Sequence, residues 1–210
     1  MRTVKLTFAS LFILLVSATA WAKDYKVGED YFELDNKVSK TQQITEYFSF
    51  YCPACFRQEP FMKTLKATLP TANAFSKNHV TNMPGRDEAT ETLLSQALIT
   101  AKLLDVEQPV VDAIFQQIHV SRSNMASIAD IKALFTKQGI DGKKFDKTFN
   151  SFKVKVEAKR MAANTQKLRD KGYGSVPTLV INNNYVPNIR SIKTLDEYKA
   201  LIRYLLTLNK

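Results

Sequence analysis

The chain has 210 residues, of which 45% are hydrophobic, and 30 Lys and Arg against 20 Asp and Glu give a net charge of +10. That apolar fraction suffices for a core without covalent staples, and the two cysteines are too few for a disulfide-framework protein. The basic residues are dispersed along predicted helices, as at Lys143-Lys144, Lys153, Lys155, Lys159-Arg160, Lys167, Arg169 and Lys171. They read as solvated faces rather than as a nucleic-acid or anionic-lipid surface.

The first element is an export signal. Arg2 and Lys5 precede an uncharged run from Leu6 to Ala22, with Leu11-Phe12-Ile13-Leu14-Leu15-Val16 at its centre. The run closes on Ala18-Thr19-Ala20 and Ala20-Trp21-Ala22, both of A-x-A form. A charged start, a short apolar stretch and a small-residue exit define a secretory signal peptide, predicted at 1–22 with cleavage after Ala22. The run is shorter than the roughly 20 residues needed to span a bilayer. The mature chain is expected to be soluble and to meet an oxidising compartment.

Next comes Thr45 to Tyr51, β-branched and aromatic, which reads as a buried strand. Cys52-Pro53-Ala54-Cys55 follows, with Pro53 where proline is favoured, at the first residue of a helix. Glu59, Phe61, Met62 and Leu65 continue at helical spacing, although Pro60 should kink the helix. A disulfide closing so short a loop is a poor staple. A zinc site needs about four ligands, and the chain's only histidines, His79 and His119, each lack a second His nearby at metal-binding spacing. No metal is therefore expected, and what remains is a reversible dithiol. Cys52 at the strand-to-helix junction faces unpaired backbone N–H groups and the positive end of the helix dipole, which favours its thiolate. Cys55, one turn on, is within bridging reach as the resolving partner.

Helical stripes follow. Ala89 to Leu104 carries Leu93, Leu94, Ala97, Leu98 and Ala101; Pro109 opens a second helix with Val110, Ile114, Phe115 and Ile118. Ser127 or Asp130 starts a third, ended by Gly139. From Asp141, Phe145, Phe149 and Phe152 lead into one long helix ending near Gly172. Then Gly174-Ser175-Val176-Pro177 precedes the β-rich run Thr178 to Ile181, with Asn182-Asn183-Asn184 as a turn. This pairing with C-x-x-C resembles the thioredoxin fold, in which a cis-Pro loop faces the cysteines and a hairpin follows.

The run Glu46 to Cys55, with Glu59, Leu69-Pro70, Lys77-Asn78-His79-Val80, Met83-Pro84-Gly85 and Val176-Pro177, resembles the periplasmic DsbA family over nearly the whole mature chain. The resemblance implies an α/β architecture, a thioredoxin fold with an inserted all-helical domain. The distance from Cys55 to Pro177 agrees, being far longer than a bare thioredoxin fold needs. The predicted division is 23–82 for the first thioredoxin part, 83–162 for the helical insertion and 163–210 for the second part.

The implied activity is donation of a Cys52–Cys55 disulfide to reduced, extended proteins newly exported to the periplasm, with no other cofactor. Val176 and Pro177 would hold the client, and a quinone-linked membrane oxidase of the DsbB type would reoxidise the enzyme. On sequence alone Glu46 and Lys77 could be exposed edge residues. The resemblance implies instead a buried acid–amine pair beneath Cys55, which Glu59 could join. His79 reads as a satisfied strand residue. Family members often carry His where this chain has Ala54, so a less acidic Cys52 is expected here. A monomer is expected, since nothing resembles a dimerisation module. Other functions remain open: an isomerase or reductase, which in known cases adds an N-terminal dimerisation domain where this chain has only residues 23–51; an oxidase for a few dedicated clients; or a non-catalytic holdase.

Overall fold

The computed structural model describes residues 23–71 and 74–208; the predicted signal peptide lies outside them. After β1 (Tyr31–Glu33) and β2 (Ile44–Phe48), α1 (Pro53–Ala67) crosses to β3 (Phe75–His79). Four helices follow, α2 (Glu88–Leu103), α3 (Glu107–His119), α4 (Ile128–Lys137) and α5 (Gly142–Phe149), and then α6 (Phe152–Asp170) returns the chain to the sheet. The hairpin β4 (Thr178–Ile181) and β5 (Tyr185–Pro187) and the C-terminal α7 (Leu195–Thr207) complete the order. The sheet runs β1-β5-β4-β2-β3, with β2 and β3 parallel and the other pairs antiparallel. This is the expected thioredoxin fold with helices inserted between β3 and β4.

Alternation along β2 sorts the molecule into layers. Ile44, Glu46 and Phe48 are buried on one face, while Thr45 and Tyr47 are half-buried on the other. On the first face Ile44, Leu179 and Ile181 pack against Met62 and Leu65 of α1 and Leu201, Ile202 and Leu205 of α7. Each such aliphatic side chain, fully buried, stabilises the fold by about 1.5–3 kcal/mol. The second face carries α6 through a thinner cluster of Leu34, Leu168, Val180 and Val186. At the carboxyl end of β2 the largest core joins Phe48 and Phe50 to Phe115, Phe135 and Phe145 of the helices, and it includes both cysteines. The site therefore sits where sheet and helices share one core.

Three expectations change, one of them the helix expected to open at Pro109, which begins at Glu107. The predicted strand to Tyr51 stops at Phe48, because Ser49 accepts from Tyr51 N–H through its hydroxyl (3.1 Å) and turns the chain. The single long helix from Asp141 is two helices. Ser151 leaves helical conformation (φ −66°, ψ 151°) and its hydroxyl caps α6 by accepting from Val154 N–H. The break turns Phe152 out of the core, 82% exposed, whereas Phe145 and Phe149 stay inside. Elsewhere the signals act as read. Ser127 caps α4, Gly139 ends it at φ +81°, and the tight turn of the β4–β5 hairpin uses Asn182 and Asn183 at φ +48° and +65°. Pro60 lies inside α1 without ending it.

Candidate active site

Cys52 leaves the strand end in extended conformation (φ −82°, ψ 114°) and is itself the N-cap of α1, followed by Pro53 at the first helical position. As a cap its sulfur accepts from the Cys55 N–H at 3.2 Å. Facing it across the fold, the Val176–Pro177 bond is cis, and the Cys52 thiol donates to the Val176 carbonyl at 3.5 Å. Cys52 keeps a thin edge of exposure, 8%, whereas Cys55 has none; both are free thiols.

These surroundings separate the two sulfurs chemically. The hydrogen bond from the Cys55 side chain lowers the Cys52 pKa to about 6, aided by the Cys55 and Ala54 backbone N–H groups and by the Arg57 cation, against the opposing effect of burial. Cys55 moves the other way. Its thiol is held protonated by that same bond to Cys52 and by burial. Ala54 contributes only its backbone.

Beneath Cys55 lies a buried ionic group. Parallel pairing sets Glu46 of β2 opposite Lys77 of β3, and Glu59 comes down from α1. Lys77 Nζ donates to Glu46 Oε2 at 2.6 Å and to Glu59 Oε2 at 2.8 Å, and it lies 4.7 Å from the Phe48 ring centroid. All three are buried, so the open question about Glu46 and Lys77 resolves to an interior pair rather than an exposed edge. Burial pushes the Glu46 carboxyl up, against the pull of Lys77. Burial opposes the Lys77 ammonium, but Glu46 and Glu59 outweigh it and hold Lys77 above its ordinary value. Among the described residues Glu46 Oε1 is buried with no hydrogen-bond partner, an acceptor left open in this ionic group.

Residues that sequence reasoning passed over complete the surroundings. Gln108 of α3 donates to Glu59 Oε1 at 3.1 Å, tying the ionic group to the helical insert. His119 stacks flat on Phe56 (4.9 Å, 4°) and donates to the Phe50 carbonyl at 2.8 Å. The Tyr51 hydroxyl donates to the Asn124 carbonyl at 2.7 Å, and Arg86 covers its ring at 4.4 Å. Aromatic spacing on α1 and α3 signals packing, but nothing in the sequence pairs Gln108 with Glu59. His79, read as structural, is fully buried with Nδ1 at 2.8 Å from the Ser95 hydroxyl.

A thioredoxin fold that presents one acidic and one proton-retaining cysteine at a helix N-terminus, against a cis-proline loop, defines a dithiol–disulfide oxidoreductase. Residues 43–199 match the model of the DSBA-like thioredoxin domain. The chain is 31% identical over 203 residues to the thiol:disulfide interchange protein DsbA of Escherichia coli O6:H1, covering 91% of this chain and 93% of that one. The DsbA of Salmonella typhimurium is 28% identical over 98% of each. Among solved structures, Klebsiella pneumoniae DsbA aligns with a TM-score of 0.74 at 25% identity, covering 89% of this chain and 100% of that one. Proteus mirabilis DsbA, solved with a non-covalently bound peptide PWATCDS, aligns at 0.73 and 25%, over 88% and 98%. The chain belongs to the DsbA family of disulfide-donating thiol:disulfide oxidoreductases.

Proposed function

We propose that Cys52 is the sulfur that exchanges with clients and Cys55 the one that resolves. The observation carrying this is the contrast in their surroundings: Cys52 caps the helix at the surface with its pKa near 6, and Cys55 is sealed and proton-retaining. In the oxidised enzyme a client thiolate attacks Cys52 Sγ. The Cys52–Cys55 bond breaks, a mixed disulfide forms, and Cys55 takes a proton. The client's second thiolate then attacks its own sulfur in the mixed disulfide and displaces Cys52 as a stabilised thiolate. The client loses two electrons and two protons, and the enzyme disulfide gains the electrons.

Glu46 serves the proton at Cys55. Its raised carboxyl and open Oε1 suit it to give a proton when Cys55 leaves and to take one when Cys55 must attack. Lys77 and Glu59 hold that carboxyl in place and share its charge. The Val176 backbone beside Pro177 offers strand-like hydrogen bonds to an extended client, and a peptide bound to the Proteus mirabilis relative supports a peptide as the kind of client. Pro53 and Ala54 set the helix start and contribute no reacting group.

The working domain division is 23–82, 83–162 and 163–210, with α6 running through the second boundary as a shared element. The protein acts as a monomer in the periplasm, exported by the segment 1–22. It oxidises reduced, newly exported proteins, uses only its own cysteine pair, and is recharged by a DsbB-type quinone-linked membrane oxidase. Oxidative refolding of a reduced multi-cysteine protein tests this. Oxidation without repair of a scrambled control is expected. Repair of the scrambled protein would make it an isomerase, and unchanged client handling by Cys52→Ser would make it a holdase.

A further inference from the structure

Two cavities of about 550 and 470 Å³ lie on the α6 face of the sheet; neither is lined by Cys52 or Cys55, although Lys77 borders the second. They share Tyr47, Asn164 and Asn183 and so form one groove. Lys37, Lys167 and Lys171 line the first cavity; Lys102, Lys153 and Arg160 line the second. Two of the groove's carboxylates are paired with cations, Glu157 with Arg160 and Glu107 with Lys66 at 3.7 Å; the third, Asp170, accepts from the neutral Gln166 at 2.7 Å, a bond that leaves its charge among the more numerous lysines. Lys171 donates to the Leu34 carbonyl. Among the described residues, Lys37 and Lys167 at one end and Lys102 and Lys153 at the other make no ion pair. Between them the hydroxyl of the half-buried Tyr47 meets no hydrogen-bond partner among the described residues.

We propose that this groove is a second binding site, separate from the redox centre, for an extended polypeptide segment bearing carboxylates. Unpaired cations stand at both ends, so a compact anion would satisfy only one of them. A peptide several residues long would reach both. The floor between mixes apolar side chains, Leu98, Ile99, Leu103 and Met161, with the polar groups of Tyr47, Asn164, Asn183, and the Thr45 and Ser76 hydroxyls 3.1 Å apart. These polar groups match the donors and acceptors of a peptide main chain. The basic residues that look dispersed along the sequence are gathered here by α6 and by the loop before β2. Because the site needs no thiol, an acidic client or partner could be held there while its cysteines are exchanged at Cys52.

The test is fluorescence anisotropy of the folded, oxidised protein with a labelled, cysteine-free peptide of alternating Glu and Ser. Saturable binding is expected, weakened at least about tenfold near 1 M salt, where screening acts over roughly 3 Å. Replacing Lys153→Glu and Lys167→Glu together, one from each cavity and both exposed on α6, should weaken it at least about tenfold. Tyr47→Phe should weaken it about threefold to tenfold, as for one lost hydrogen bond. The double variant should transfer its disulfide to a neutral dithiol peptide at the unaltered rate. Absent binding, equal binding by the variants, or displacement by a neutral peptide occupying Cys52 would each overturn the proposal. So would binding of phosphatidylglycerol vesicles or inorganic phosphate without binding of the peptide.

Discussion

Cys52 depends first on the Cys55 side chain and then on backbone N–H groups and Arg57. With Ala54 in the motif, the Cys55 hydrogen bond, the first N–H groups of α1 and Arg57 bring the thiol to about 6. Titrating the thiolate absorbance of reduced protein should give that value; a midpoint as low as the roughly 3.5 of a DsbA with a strongly stabilised thiolate would refute this account. Ala54→His should lower it further and make the protein more oxidising. The sign for stability follows. A thiol depressed from 9.0 to about 6 stabilises the reduced fold fully above pH 9 and loses that contribution as pH falls through 6. The reduced form's advantage over the oxidised form, read from paired denaturant curves, should therefore shrink between pH 7 and pH 5. Glu46 has the opposite sign, since its folded pKa is raised above 4.5. Its effect on stability is favourable below that value and lost as pH rises through the folded pKa. Glu46→Gln should thus raise stability at neutral pH, with the gap closing below pH 4.5, while slowing the steps in which Cys55 gains or loses a proton. Stopped-flow exchange with a dithiol peptide checks the second half; an unslowed rate would leave Glu46 a structural group only.

At the scale of elements, β3 carries two buried titratable side chains with different solutions. Lys77 has two carboxylates, whereas His79 has a hydroxyl on one nitrogen and none on Nε2. Burial lowers His79 to about 3. A depressed histidine contributes fully above the unfolded value of 6.5 and loses that contribution as pH falls toward 3. Each pH unit in that window should cost at most about 1.4 kcal/mol through this residue. His79→Gln should flatten the pH dependence of unfolding between 6.5 and 4, and an unchanged slope would mean another group is responsible.

For the whole molecule the decisive feature is the core shared by Phe48, Phe50, Phe115, Phe135 and Phe145. A helical insert with its own core could melt separately; one whose aromatic side chains complete the cysteine environment should not. Phe115→Ala should destabilise by about 3–5 kcal/mol. Helical and active-site probes should still move in one coincident transition. Two transitions would show that the insert is an independent unit.

The chemistry and the fold family are written in short stretches of the chain. Cys52-Pro53-Ala54-Cys55 after an apolar strand, a distant Val176-Pro177 before another, and helical periodicity between them are local patterns, and local patterns survive being read in one dimension. Caps were legible for the same reason, as at Ser127 and Gly139. Ser151 was missed because a capping serine inside an otherwise helical stretch competes on nearly equal terms with helix continuation. What depends on strand register and on which side a residue faces emerges only once the chain is folded. Pairing Glu46 with Lys77 requires knowing that β2 and β3 run parallel in that register. Gln108 reaches Glu59 only because α3 packs on α1. Lysines far apart in the chain line one groove because α6, the end of α2 and the loop before β2 meet on the same face of the sheet. Electrostatics acts through space, and the sequence records only distance along the chain.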